Sequence, residues 1–214
     1  MWRALVYIVL GLPAAAVVLS TVVRIVRHFH KFPLPEPLAN LIDNPLRRRW
    51  QPPSEMPLRH DIEPGMTVLE VGPGNGRYTV ETACRVGTTG KVVAIDIEPK
   101  MVERVASRAQ ALGLTNLEAR TADVYALPFG DGAFDAIYMI TVIGELPELG
   151  RALGEFHRVL KPGGTVAFSE IVLDPDYPLA RTLIRKAAEA GLRLKKKVGG
   201  GFSYTLVFEK PRAT

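Results

Sequence analysis

The 214-residue chain contains one cysteine, Cys84. A lone cysteine closes no disulfide within the chain and builds no cysteine-based zinc cluster, which fits a reducing compartment. No internal repeat and no low-complexity tract is present, which excludes a stacked-repeat architecture. Charge is missing altogether from Ala4 to Val23, ALVYIVLGLPAAAVVLSTVV.

What is present describes a globular protein: 47% hydrophobic and 23% charged residues, with room for one α/β domain and a short appendage. The net charge of +5 is unevenly spread. Arg24, Arg27, Lys31, Arg47, Arg48, Arg49 and Arg59 outnumber Glu36, Asp43 and Glu55 in one stretch. A second stretch carries Arg181, Arg185, Lys186, Arg193, Lys195, Lys196 and Lys197 against Glu189. Basic clusters suit anionic lipid surfaces or nucleic acid; a solvated face explains the second one equally well.

As a helix, Ala4–Val23 would extend roughly 30 Å, about the thickness of a bilayer's hydrocarbon core. Gly11 and Pro13 weaken a helix in water but are tolerated in membranes. Arg3 precedes the run, whereas Arg24, Arg27 and Lys31 follow it, which places the C-terminal side in the cytoplasm. The expectation is a single-pass membrane protein whose first unit is residues 1–31. Two alternatives stand beside it. One is a signal peptide cleaved near Ala14-Ala15-Ala16, although the apolar run continues past those residues. The other is a helix buried on the domain or on a second subunit.

Residues 32–60 are broken by Pro33, Pro35, Pro37, Pro45, Pro52, Pro53 and Pro57 and read as an arm, not a second domain. Its RRRW segment, Arg47–Trp50, suits lipid headgroups or a lid on the domain that follows. Residues 61–214 alternate strand and helix patterns. Strands are expected at Met66–Val71, Lys91–Asp96, Leu117–Ala122, Phe134–Ile140, Thr165–Val172, Leu192–Val198 and Phe202–Phe208. Helices are expected at Arg77–Val86, Pro99–Leu112, Leu149–Leu160 and Pro178–Ala190. This order predicts a Rossmann-like α/β fold: a seven-stranded, mostly parallel sheet with helices on both faces. Ligands of such sheets bind beyond the C-terminal ends of the strands.

The first strand runs into Glu70-Val71-Gly72-Pro73-Gly74-Asn75-Gly76. A dinucleotide fingerprint needs a third glycine where this chain has Arg77. Asp96 ends the second strand, where a carboxylate can accept ribose hydroxyls. Ala122-Asp123-Val124 follows the third, and Arg158-Val159-Leu160-Lys161-Pro162-Gly163-Gly164 precedes the fifth. Together these segments resemble the class I S-adenosylmethionine (SAM)-dependent methyltransferases, nearest the methyltransferase-11 type. The resemblance implies a last strand that runs antiparallel and SAM as the cofactor. It also implies that Glu70 and the backbone of Gly72, Pro73, Gly74, Asn75 and Gly76 hold the methionine part, Asp96 the ribose and Asp123 the adenine. Ile97, Met101 and Val124 would complete the adenine pocket.

Methyl transfer from a sulfonium is mainly a matter of alignment; no metal is required, and no metal-ligand set is visible. Where the nucleophile bears a proton, a base must take it. The candidates follow the fourth strand: Glu145 first, then Tyr138 and Thr141, with Tyr78, Tyr125 and His157 behind them. The type includes quinone C-methyltransferases, phospholipid N-methyltransferases and arsenite methyltransferases, the last disfavoured by the single cysteine. Beside a membrane, the expected partners are membrane lipids and a hydrophobic small-molecule acceptor, with a homo-oligomer left open. No nucleic acid is expected, because the Asn/Asp-Pro-Pro-aromatic motif of flipped-base enzymes is missing. A soluble metabolite as acceptor and a SAM-binding scaffold without catalysis remain as alternatives.

Overall fold

The computed structural model describes residues 45–212. The Ala4–Val23 run, the 1–31 unit and the arm up to residue 44 therefore lie outside the described residues. Among the described residues no helix is long and apolar enough to cross a membrane.

Five apolar runs form the centre because their alternate side chains all find cover. Strands β1 (Thr67–Val71), β2 (Lys91–Asp96), β4 (Phe134–Ile140) and β5 (Leu160–Ile171) are buried along nearly their whole lengths, as is β7 (Ser203–Glu209). The edges are the polar strands β3 (Leu117–Thr121) and β6 (Arg193–Gly199); a lysine-rich edge such as β6 resists pairing with another chain. The strand order is β3-β2-β1-β4-β5-β7-β6. β1 pairs in parallel with β2 and β4, and β4 with β5, while β7 runs antiparallel to both β5 and β6. This is the sheet the sequence predicts, including the reversed last strand.

Successive strand residues face opposite sides, so the sheet divides two cores. Leu69, Val71, Ile137, Met139 and Phe168 meet α5 (Leu149–Val159) and α6 (Ala180–Glu189) on one side. Val68, Ala136, Tyr138, Ala167 and Val207 meet Tyr78, Ala83 and Val86 of α3 (Arg77–Val86) on the other. Helix α4 (Pro99–Ala111) buries Met101, Val105 and Ala109.

Two features depart from expectation. The Lys161-Pro162-Gly163-Gly164 turn does not precede β5 but is a bulge inside it. Leu160 pairs with Phe134 and Thr165 with Ala136, so the intervening residues loop out, with Gly163 at φ 81°. The Lys161 ammonium pins the bulge to Asp135 at 2.7 Å. The second concerns the arm. From Pro45 onward it folds onto the domain as α1 (Pro45–Trp50), a 3-10 turn (Pro53–Glu55) and α2 (Met56–Arg59). Met56 and Ile62 sit in the second core, and His60 stacks on Tyr138 at 5.1 Å. Residues 45–60 of the arm thus pack on the domain, and Arg47 among them lines the cavity described below.

Candidate cofactor and acceptor site

A cavity of about 300 Å³ lies at the C-terminal ends of β1, β2 and β4, with Arg47 of α1 in its wall. Its floor is the loop from β1 to α3. Gly72 has φ 72°, and a Cβ there would lie 2.5 Å from Val142 Cγ2. Gly74 has φ 55°, and a Cβ there would meet nothing within 4 Å. The first glycine thus seats the loop against the chain after β4. The second leaves space that a ligand can take. Gly72→Ala places an L-residue in the left-handed region and forces Val142 aside. The expected loss is roughly 2–4 kcal/mol of stability, measured from the denaturant midpoint.

Glu70, at the end of β1, is buried, and its Oε2 has no hydrogen-bond partner. Burial pushes its carboxyl up to about 7; Asp96 adds to the rise, and the hydroxyls of Thr79 and Tyr138 oppose it. A buried carboxylate oxygen without a partner is a ready seat for a cationic group. Asp96 closes β2 and accepts the Glu98 N–H at 3.0 Å; burial raises its pKa against the Glu98 and Ile97 N–H groups. Asp123 is exposed at the rim and accepts the Tyr125 N–H at 2.8 Å, leaving its side chain oriented beside Val124. Ile97 and Met101 line the same end of the cavity.

The opposite end is built from distant segments. Arg47 of α1 is buried and donates from Nε to Gln51 Oε1 (3.0 Å) and from Nη2 to Thr141 Oγ1 (2.7 Å). Its guanidinium lies 5.7 Å from the centre of the Tyr78 ring. Thr141, the residue after β4, adopts φ 56°, a rare conformation for a β-branched residue and one that concentrates at functional sites. Its own hydroxyl proton goes to the Ile140 carbonyl at 2.7 Å. Glu145 ends a 3-10 turn, Ile143–Glu145, that lines the cavity. Gly144 lets that turn approach the 174–176 loop, since a Cβ there would overlap the Asp176 carbonyl; Asp174 then faces the same space. Behind them Glu170 is buried with Oε1 unpartnered. Burial holds its carboxyl well above the usual range, Asp174 adds to that, and Arg47 opposes it.

Glu70, Gly72, Pro73, Gly74, Asn75, Asp96, Ile97, Met101, Asp123, Val124, Thr141 and Glu145 are thus gathered around one cavity. Two expected residues are not. Gly76 starts α3 at φ 74°, where a Cβ would lie 3.2 Å from Val105 Cγ2; it allows α3 and α4 to approach. Tyr138 is fully buried beneath the floor and accepts the Thr82 hydroxyl at 3.0 Å. Its register partner is Glu70, so it faces α3 and not the strand end. Thr141 lines the cavity, but its hydroxyl is already engaged with Arg47 and Ile140. Tyr78 and Tyr125 line the cavity; His157 lies on α5 away from it. Arg47 and Asp174 had no local signature, since each becomes part of the site only through the tertiary fold.

The cofactor end fits SAM: an orphaned acidic group for an ammonium, a loop with room for a ligand, and a strand-end carboxylate for a ribose. Because Glu70 titrates near 7, its ionised fraction rises about tenfold from pH 6 to pH 8. SAM affinity is expected to rise by about the same factor over that range and to lose the dependence in Glu70→Gln, as calorimetry at both pH values would record.

Comparison with known proteins agrees. A family model described as a methyltransferase domain matches residues 62–202. The ubiquinone/menaquinone biosynthesis C-methyltransferase UbiE of Escherichia fergusonii is 36% identical over 118 residues, 53% of this chain and 47% of that protein. An arsenite methyltransferase of Halobacterium salinarum is 32% identical over 117 residues, 55% of this chain and 30% of that protein. The chain therefore spans less than half the length of these curated relatives. A SAM-dependent methyltransferase from Aquifex aeolicus superposes with a TM-score of 0.77 at 26% identity, covering 83% of this chain and all of that one. With the glycine loop, Glu70 and Asp96 placed around one cavity, the chain belongs to the methyltransferase domain family, in its class I SAM-dependent branch.

Proposed function

We propose that the chain transfers the methyl group of SAM to a hydrophobic or lipid-like acceptor of the quinone or phospholipid type. It does so as a single-pass membrane protein with its catalytic domain on the cytoplasmic side. The observation that carries this reading is the make-up of the cavity's second end. Ile140, Val142, Leu146 and Tyr78 give it apolar walls, and Arg47 of α1 stands among them where the chain arrives from the segment holding the uncharged Ala4–Val23 run. The likeness to a quinone-biosynthesis C-methyltransferase supports the acceptor class. The exposed position of Cys84, away from the cavity, gives arsenite no thiol there.

When bound, SAM supplies an electrophilic methyl group. Glu70, Asp96, Asp123 and the Gly72–Asn75 backbone would hold it. The lid formed by residues 45–60 excludes water, Arg47 ties that lid to Thr141, and Glu145 takes the proton from the acceptor. Glu145→Gln is expected to lower kcat about a hundredfold while leaving SAM affinity unchanged; equal activity would remove Glu145 as the base.

The test is incubation of the full chain with methyl-labelled SAM and a total membrane lipid extract. Label is expected in the organic phase, in a quinone or phospholipid. Label confined to water-soluble metabolites would overturn the acceptor class. Carbonate extraction of membranes should leave the full chain in the pellet; release would overturn the anchor.

A further inference from the structure

We propose that the rim of the cavity formed by α1 and the β6–β7 hairpin is a docking face for an anionic lipid surface, so that the mouth of the site opens onto the bilayer. The inference rests on the membrane-anchored reading above and adds to it the face of the domain that meets lipid.

Two large apolar side chains stand in solvent together at this rim. Trp50 is 43% exposed and Phe202 is 40% exposed, yet their rings pack at 4.8 Å and 54°. The aromatic pair joins the lid helix to the hairpin tip. Leu173, 47% exposed, follows Val172, whose N–H donates to the Phe202 carbonyl at 2.8 Å. The rim adjoins the site at two points: Arg47 of the same short helix as Trp50, and Asp174 next to Leu173, both line the cavity. Contiguous apolar surface of this kind marks a contact for something other than water.

Charge selects the occupant. Arg48 and Arg49 precede Trp50, with Arg49 exposed. Lys197 is exposed on the edge strand that leads into the hairpin. Glu55, the acidic residue nearest in the lid, is paired with Arg59 at 2.7 Å. Tryptophan beside arginine, with aliphatic stems along apolar surface, suits the headgroup level of a membrane, and each basic residue there is drawn to anionic lipid. The chain also enters the described structure at Pro45, the first residue of α1, so the sequence holding Ala4–Val23 is joined to this same face. A lipid-soluble acceptor would then pass from bilayer to cavity without crossing water.

The test uses the full chain with Trp2→Phe, which leaves Trp50 as its sole tryptophan. It is reconstituted into vesicles of phosphatidylcholine, or of phosphatidylcholine and phosphatidylglycerol in equal parts, with brominated acyl chains as quenchers. Strong quenching of Trp50 is expected in the anionic vesicles and severalfold weaker quenching in the neutral ones. Adding R48E and R49E should weaken the quenching in anionic vesicles severalfold while the chain still floats with them. A chain that floats with unquenched Trp50 overturns the docking face and leaves the anchor standing. A chain that floats with neither vesicle overturns both. Trp50 protected from acrylamide in detergent, with a dimeric mass, assigns the face to a second copy of the chain and also overturns the proposal.

Discussion

Asp96→Ala is expected to lower the affinity for SAM about a hundredfold and to leave the fold intact. The carboxylate ends β2, is kept in place by the Glu98 N–H at 3.0 Å, and points into the cavity. Two ribose hydroxyls donating to one charged acceptor in an open cavity contribute about 1.5 kcal/mol each, the low end for bonds to a charged group, and loss of the side chain removes both. Stability should change little in the free protein, because burial already disfavours the ionised group there. Asp96→Asn keeps the size and one acceptor oxygen but not the charge, so a smaller loss of about tenfold is expected. Calorimetric titration of the three proteins gives the comparison, with thermal melts as the control for folding. Equal affinity in all three would remove Asp96 from the site.

The second large effect is on stability and concerns His60. It is 1% exposed, its Nε2 lies 2.8 Å from Ser169 Oγ, and Ser169 Oγ lies 2.7 Å from Thr205 Oγ1. Burial first, then Lys196 and Arg59, lower its pKa from 6.5 to about 3 against the opposing Asp61. The unfolded chain therefore binds a proton below pH 6.5 that the folded chain refuses until about pH 3. The stability this neutral imidazole supports is complete above pH 6.5. It falls by about 1.4 kcal/mol per pH unit on acidification, reaching a total on the order of 5 kcal/mol. Glu70 acts in the opposite sense: its raised pKa makes ionisation destabilising as pH rises from 4.5 to about 7. A comparison with His60→Gln cancels that contribution. The variant should be less stable at pH 7.5, from lost packing, with the gap narrowing by about 1.4 kcal/mol per unit below pH 6.5. Urea midpoints at pH 7.5 and pH 5 measure it. A constant gap would contradict the buried, neutral His60. Since this residue fastens the lid segment to the sheet, acid should also loosen the wall of the cavity that Arg47 forms.

The cofactor end was legible in the sequence because its parts are local. A glycine loop and a carboxylate each follow an apolar run, and the sheet brings strand ends together whatever the loops do. Strand β4 was legible as a strand, but the direction of its side chains was not. Tyr138 pairs with Glu70 in register, which turns it under the floor toward α3. The acceptor end was legible only in part. Thr141 and Glu145 follow β4 and line the cavity as expected, but Arg47 and Asp174 come from segments far away in the chain, and no periodicity links them. Arg47 in particular sits in a basic, proline-rich stretch that reads equally as lipid-facing or as a lid. Only the packing of Met56 and His60 on the second core draws α1 to the cavity and turns one arginine of three inward. The bulge in β5 was legible as turn chemistry, but not as an interruption within a strand.

We propose that this cavity binds SAM through Glu70 and Asp96. Titration of the purified full chain with S-adenosylhomocysteine, the demethylated product, tests it most directly. One saturable site is predicted, tighter at pH 8 than at pH 6 and weakened about a hundredfold by Asp96→Ala. No heat of binding to a folded chain at either pH would contradict it.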